Sequence, residues 1–188
     1  MGITGIQFAS LSGLTVITTA SPQNHEYLKS LGAAHVVDYN SSTAVDDIKT
    51  LTGGMLTLAW DCNADASSAA FCGKCLSTDT ESHYSALLFG NGDAVTKENA
   101  KARTDASLYY SVFGEDFFYK GRKPAVPENL EFGKTFWELS RQLLKEGKVK
   151  PIRTFVNRGG EGLEGVLVGL REVKEGKVRA GKLVYTIS

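Results

Sequence analysis

"MGITGIQFASLSGLTVITTAS" (residues 1–21) is the stretch whose reading decides the fold. Gly2, Gly5 and Ala9 recur at helical spacing, and a stripe of such small side chains lets a helix lie close against a sheet. The last glycine of a G-x-G-x-x-G fingerprint has that role. Gly13 falls just past the last helical residue, where a left-handed backbone favours glycine. "LTVITTAS" (14–21) is then a β-branched run bounded by Ser21-Pro22. The order is therefore helix, tight turn, strand. The strand and the earlier glycines that would carry a fingerprint do not precede Gly2 in this sequence, and the fingerprint is informative only in a strand–turn–helix context.

Outward from this stretch, strands and helices keep alternating. "PQNHEYLKSLGA" (22–33) predicts a helix stopped by Gly32, "HVVDY" (35–39) a strand, and "STAVDDIKTLTGG" (42–54) a helix ended by paired glycines. "LTLAWDCN" (56–63) predicts a strand, 65–77 a helix, and "HYSALLFG" (83–90) a strand running into glycine. The polar stretch "NGDAVTKENAKARTDA" (91–106) carries no clear pattern, and "LYYSVFG" (108–114) predicts a strand. A loop with Pro124 and Pro127 leads to a long helix at 129–147, an extended segment "KPIRTFV" (150–156), a helix at 161–176 and a last strand, "GKLVYTI" (181–187). Such alternation implies an α/β fold with a doubly wound parallel sheet, whose ligands bind beyond the carboxyl ends of the strands. There is no internal repeat.

The composition is that of an ordinary globular chain of 188 residues, 42% hydrophobic and 22% charged. Its 21 basic and 21 acidic residues balance, which argues against a nucleic-acid or membrane-surface role resting on bulk charge. No apolar run is long enough to span a membrane and residues 1–20 lack the basic start of a signal peptide, so the expected compartment is cytoplasmic. Cys62, Cys72 and Cys75 are an odd number, as in a reducing compartment. The C-x-x-C at 72–75 invites a zinc or redox reading. A zinc site would need a second ligand pair, and His25, His35 and His83 are not suitably spaced. A redox pair would open a helix, whereas these cysteines fall inside one, so the expectation is two free helical thiols and no metal site.

"GIQFASLSGLTVITTASPQN", "LGAAHVVDYN", "YYSVFGEDF", "FWELSRQLLKEGKVKP" and "GLEGVLVGLREVKEGKVRAGKLVYTI" together resemble the C-terminal half of the medium-chain dehydrogenase/reductase superfamily. Within it they are most similar to the zinc-free, NADPH-dependent trans-acting enoyl reductases of fungal polyketide and toxin clusters. The combination of "TASPxN", "LGAxxVxDY" and "GKLVY" carries the resemblance at subfamily level. It implies a Rossmann sheet entered at the third fingerprint glycine, its first strand missing, as in a truncated gene product or gene model. Residues 1–149 would form the incomplete NAD(P)-binding domain. Residues 150–188 would be a remnant that completes a GroES-like catalytic domain, and the catalytic residues would lie in the missing N-terminal half.

Cofactor choice follows from one position. In NAD-specific folds an acidic residue about 20 positions beyond the glycines binds the ribose 2′-hydroxyl. Ser21 stands there instead, so a 2′-phosphate is admissible and NADPH is the expected cofactor, although Ser21 also suits a helix N-cap before Pro22. The resemblance adds Asn24 and Tyr39 to that pocket. Gln23 replaces a basic or imidazole side chain frequent in relatives, and Lys29 lies a turn further on. Backbone donors for the pyrophosphate are reduced to those near Gly2 and Ile3. Tyr110, Phe113 and Gly114 occupy the place where relatives bring a strand end near the nicotinamide, though an aromatic run in a strand also suits a core.

Asp61 ends a strand and suits a cap for the next helix better than catalysis. Lys120, Arg122 and Lys123 fit either an acidic acyl carrier protein or a solvated basic loop. The expected function is an NADPH-dependent, enoyl-reductase-like oxidoreductase. Its substrate would be a small-molecule or acyl-carrier-bound enoyl compound, with a polyketide synthase as partner, and neither nucleic acid nor membrane is involved. The alternatives are a non-catalytic dinucleotide-binding or interaction remnant, and an S-adenosylmethionine-dependent methyltransferase, which would want an acid near Ser21.

Overall fold

A computed structural model describes residues 1–187. The chain forms helix α1 (Gly2–Leu11), strand β1 (Ile17–Thr19), a 3-10 turn at Pro22–Asn24 running into α2 (His25–Lys29), β2 (His35–Val37) and α3 (Ala44–Thr52). Then come β3 (Leu58–Asp61), α4 (Ala66–Cys75), β4 (Ser82–Ala86), α5 (Gly92–Glu98) and β5 (Ala102–Ala106). A 3-10 helix (Tyr109–Phe113) and a small hairpin of β6 (Phe117–Phe118) and β7 (Arg122–Lys123) precede α6 (Pro127–Lys145). The last elements are β8 (Thr154–Val156), α7 (Gly162–Lys174) and β9 (Lys182–Val184).

The turn after α1 forms as its sequence requires. Gly13, at φ 81°, donates to the Ser10 carbonyl and Leu14 to that of Ala9, the paired hydrogen bonds that close a helix through a left-handed residue. The strands are parallel in two groups, β2–β1 and β3–β4–β5, with Ile17 opposite His35, Leu58 opposite His83 and Ser82 opposite Ala102. This is the order of a doubly wound sheet interrupted between β1 and β3, each of which keeps one unpaired edge. Helix α1 bridges the interruption. Ile6 joins Leu28, Leu31 and Ala33 in the core beside β1 and β2, while a Cβ at Gly5 would enter the ring of Trp60 on β3. Small residues on this face are thus needed for close approach.

Two expectations are corrected. The strand read at 108–114 is the 3-10 helix Tyr109–Phe113, and the patternless stretch 91–106 holds α5 and β5. Strand β5 borders the sheet and exposes Arg103, Thr104 and Asp105, so its sequence lacks the apolar run of a central strand.

Beyond α6 the chain crosses back over α1. The buried Gln7 carboxamide accepts from the Lys150 N–H (2.7 Å) and donates to the Lys150 carbonyl (3.0 Å). From there β8, α7 and β9 form a parallel β–α–β unit, with Phe155 opposite Leu183. Gly165 and Gly169 press α7 onto its strands: a Cβ at Gly169 would collide with the Tyr185 ring, and one at Gly165 with the Gly160 carbonyl.

Candidate functional site

The carboxyl ends of β1 and β2 bring Ser21 and Tyr39 together. Ser21 Oγ and Tyr39 OH lie 3.2 Å apart. Ser21 begins the 3-10 turn through its backbone, its carbonyl accepting from Asn24 N–H (2.9 Å), and its side chain makes no capping hydrogen bond. The hydroxyl is therefore free for the Tyr39 phenol, half exposed at 52%, and the pair retains one O–H donor for a polar or anionic group. The neighbouring carboxylate, Asp38, is engaged with Asn40, accepting from its backbone N–H at 3.0 Å and its side-chain amide at 3.2 Å.

Asn24 is buried in the same turn, and its Oδ1 faces an Arg153 guanidinium nitrogen at 3.4 Å. Arg153 comes from the segment beyond α6, 129 residues away in the chain, so no local pattern announces it. Lys29, the nearest cation by sequence, is paired with Glu26 at 3.0 Å.

Gly2 and Ile3 open α1. Thr4 N–H turns back to the Met1 carbonyl, whereas the first two helical N–H groups have no acceptor within the helix. A methyl at Gly2 would meet Cys62 Sγ at 3.8 Å, an ordinary contact, so nothing within the described residues demands glycine there.

Phe113 and Gly114 form a separate neighbourhood beyond β5, packed toward α6. Phe113 is 62% exposed, and Gly114, at φ 72°, ends the 3-10 helix so close to Leu130 that a Cβ would be 2.7 Å from Cδ2. Tyr110 lies between the tilted rings of Tyr109 (4.0 Å) and Phe117 (5.7 Å) and is not a core residue of a strand. Of the basic loop, Arg122 is taken up by Asp116, to which its Nε donates at 2.9 Å, and Lys120 lies over the Tyr119 ring.

Asp61 is not the cap of α4. Its Oδ1 accepts from the N–H groups of Asn63 (2.9 Å) and Ala64 (2.8 Å), and its Oδ2 from Ser68 Oγ (2.6 Å) and Tyr84 OH (3.0 Å). Burial, and then the hydrogen bond to Asp61, push the Tyr84 phenol well above its ordinary value. The cap itself is Asp65, in a reciprocal box with Ser68. Cys62, Cys72 and Cys75 are free thiols, and burial pushes Cys72 up to about 12 and Cys75 to about 11, which keeps both protonated and unreactive near neutral pH. Among the described residues no three His, Cys, Asp or Glu side chains gather to hold a metal ion, and no helix is long and apolar enough to cross a membrane.

The family model described as zinc-binding dehydrogenase matches residues 1–129. The trans-enoyl reductase resD of Aspergillus sclerotiorum is 37% identical over 99% of this chain and 52% of its own length. The trans-enoyl reductase ACTTS2 of Alternaria alternata is 33% identical over 99% of this chain and 52% of its own. The chain thus spans about half the length of these relatives, their C-terminal half. Among solved structures, the CurF ER cyclopropanase from the curacin A biosynthetic pathway superposes with a TM-score of 0.68 at 18% identity, over 97% of this chain and 50% of that one. The quinone oxidoreductase from Coxiella burnetii gives 0.60 at 22% identity, over all (100%) of this chain and 49% of that one. These two likenesses establish the fold.

Proposed function

The chain belongs to the zinc-binding dehydrogenase family, and from that premise we propose that it is the dinucleotide-binding part of an NADPH-dependent oxidoreductase of the enoyl reductase type. The observation that carries the reading is the Ser21–Tyr39 hydroxyl pair, set where an NAD-specific fold would hold a carboxylate. Ser21, Tyr39 and Asn24 would hold the ribose 2′-phosphate, and the open N–H groups of Gly2 and Ile3 would face the pyrophosphate. Phe113 and Gly114 would border the nicotinamide end. The chemistry such a cofactor supplies when bound is delivery of a hydride to the β-carbon of an α,β-unsaturated thioester. The residues of this chain contribute placement. The family's name implies zinc, and among the described residues no three metal-ligating side chains gather into a ligand set. The trans-enoyl reductase names of the relatives support an acyl-carrier-bound substrate delivered by a polyketide synthase. Residues 1–149 would serve the cofactor and residues 150–188 the catalytic domain that the relatives' other half would supply.

Equilibrium titration with NADPH and NADH tests the assignment. The expected result is tighter binding of NADPH, with Ser21→Asp erasing the preference by placing a negative charge beside the 2′-phosphate. Equal affinity of the unaltered chain for both cofactors would overturn it.

A further inference from the structure

Arg153 is held in an unusual place for a residue of the crossing segment. Its Nε donates to the Ala180 carbonyl at 2.7 Å, and one terminal nitrogen lies 3.4 Å from both the Arg179 carbonyl and Asn24 Oδ1. The guanidinium carbon sits 4.6 Å from the centre of the Tyr27 ring. These contacts fix the plane of the fork without neutralising it, since no carboxylate among the described residues pairs with Arg153 and its second terminal nitrogen has no acceptor there. The consequence for Asn24 is directional. With Oδ1 committed to the cation, the two N–H groups of the buried carboxamide must face elsewhere, and they belong to the same turn as Ser21.

We propose that Arg153 is a positioning residue for a ribose 2′-phosphate, orienting the Asn24 carboxamide as a donor and supplying the cation that the sequence around Ser21 lacks. The inference rests on the cofactor reading above. It makes the segment after α6 part of the adenosine end of the site, although Arg153 lies far from the glycine turn in sequence. An unpaired guanidinium beside amide donors supplies charge-assisted hydrogen bonds to a phosphate dianion.

The test is calorimetric titration of the full chain with adenosine 2′,5′-bisphosphate and adenosine 5′-monophosphate, for the unaltered protein, Arg153→Met, Arg153→Lys and Ser21→Ala. The readout is the ratio of the two affinities, which a general loss of folded protein would not change. The unaltered chain is expected to favour the bisphosphate by about tenfold or more, as a charge-assisted hydrogen bond supplies. Arg153→Met should bring the ratio close to one, and Arg153→Lys should recover part of it. If Arg153→Met keeps the full ratio while Ser21→Ala loses it, the role of Arg153 is wrong and the pocket stands. If the unaltered chain shows no preference, the pocket itself is wrong and the proposal falls with it.

Discussion

Residues 56–106 and residues 150–187 are both built of parallel strands joined by helices, yet they pack in opposite ways. In the first region Leu76, Tyr84 and Val95 are almost wholly enclosed by α4, α5 and the β3–β4–β5 sheet, and Asp61 ties the buried Tyr84 hydroxyl to the α4 turn. In the second, the glycine face of α7 closes tightly on Tyr185, while Leu163, Leu167, Leu170 and Val173 form a stripe left open to solvent, Leu163 at 71% exposure. The first region draws its stability from contacts within about fifty residues of chain. The second closes only one side of its helix, so the exposed stripe adds little to the stability of the chain. Burial, rather than apolar content, decides where a substitution is felt.

The comparison can be broken most directly by matched truncations. Leu76→Ala should cost about 3 kcal/mol in urea unfolding, whereas Leu170→Ala should fall within about 0.5 kcal/mol of the unaltered chain. Similar losses from both would mean that the α7 stripe is covered in solution. A smaller effect is expected at the turn leaving α1. A Cβ at Gly13 would meet nothing within 4 Å, so Gly13→Ala isolates the penalty of the left-handed backbone, about 1 kcal/mol in the same assay.

The mildest expected effect concerns acid. The Ser68 backbone N–H first, and the Ser67 hydroxyl next, hold the Asp65 carboxyl down to about 2 from an ordinary value near 3.8. A folded-state value below the unfolded one stabilises above the ordinary value and is lost as pH falls from about 4 to about 2. Melting curves of the unaltered chain and Asp65→Asn should therefore differ slightly near neutral pH and converge over that acid interval. A constant difference would remove the charge from the account of this cap.

Where local chemistry dictates structure, the sequence is easily read. Gly13 announces the left-handed turn, Ser21 the corner at the end of β1, and the paired glycines the end of α3, where Gly53 takes φ 59°. The same reading fails at 108–114, because aromatic and β-branched residues there signal a strand whereas the chain has just left β5 and winds a 3-10 turn with Tyr109 and Phe113 exposed. It fails for β5 for the converse reason, a border strand whose open face is polar. Within the candidate site, Ser21 is singled out by its place just beyond β1, whereas Asn24 and Tyr39 enter only through the family resemblance. Arg153 and its approach to Asn24 are not legible, since they depend on a crossing that brings residues 129 positions apart together. The sequence points to Asp61 rather than Asp65 as the cap of α4, because both acids stand before the same helix and only the hydrogen bonds distinguish them.

The forked contact between Gln7 and Lys150 has a mechanical meaning. A carboxamide that grips both polar groups of one residue gives the crossing segment an axle: the chain can neither slide along α1 nor roll about its own length there without releasing both bonds. Pro151 stiffens the next link by fixing its φ. The β8–α7–β9 unit is thereby anchored beside α1 three residues before Arg153, which reaches Asn24.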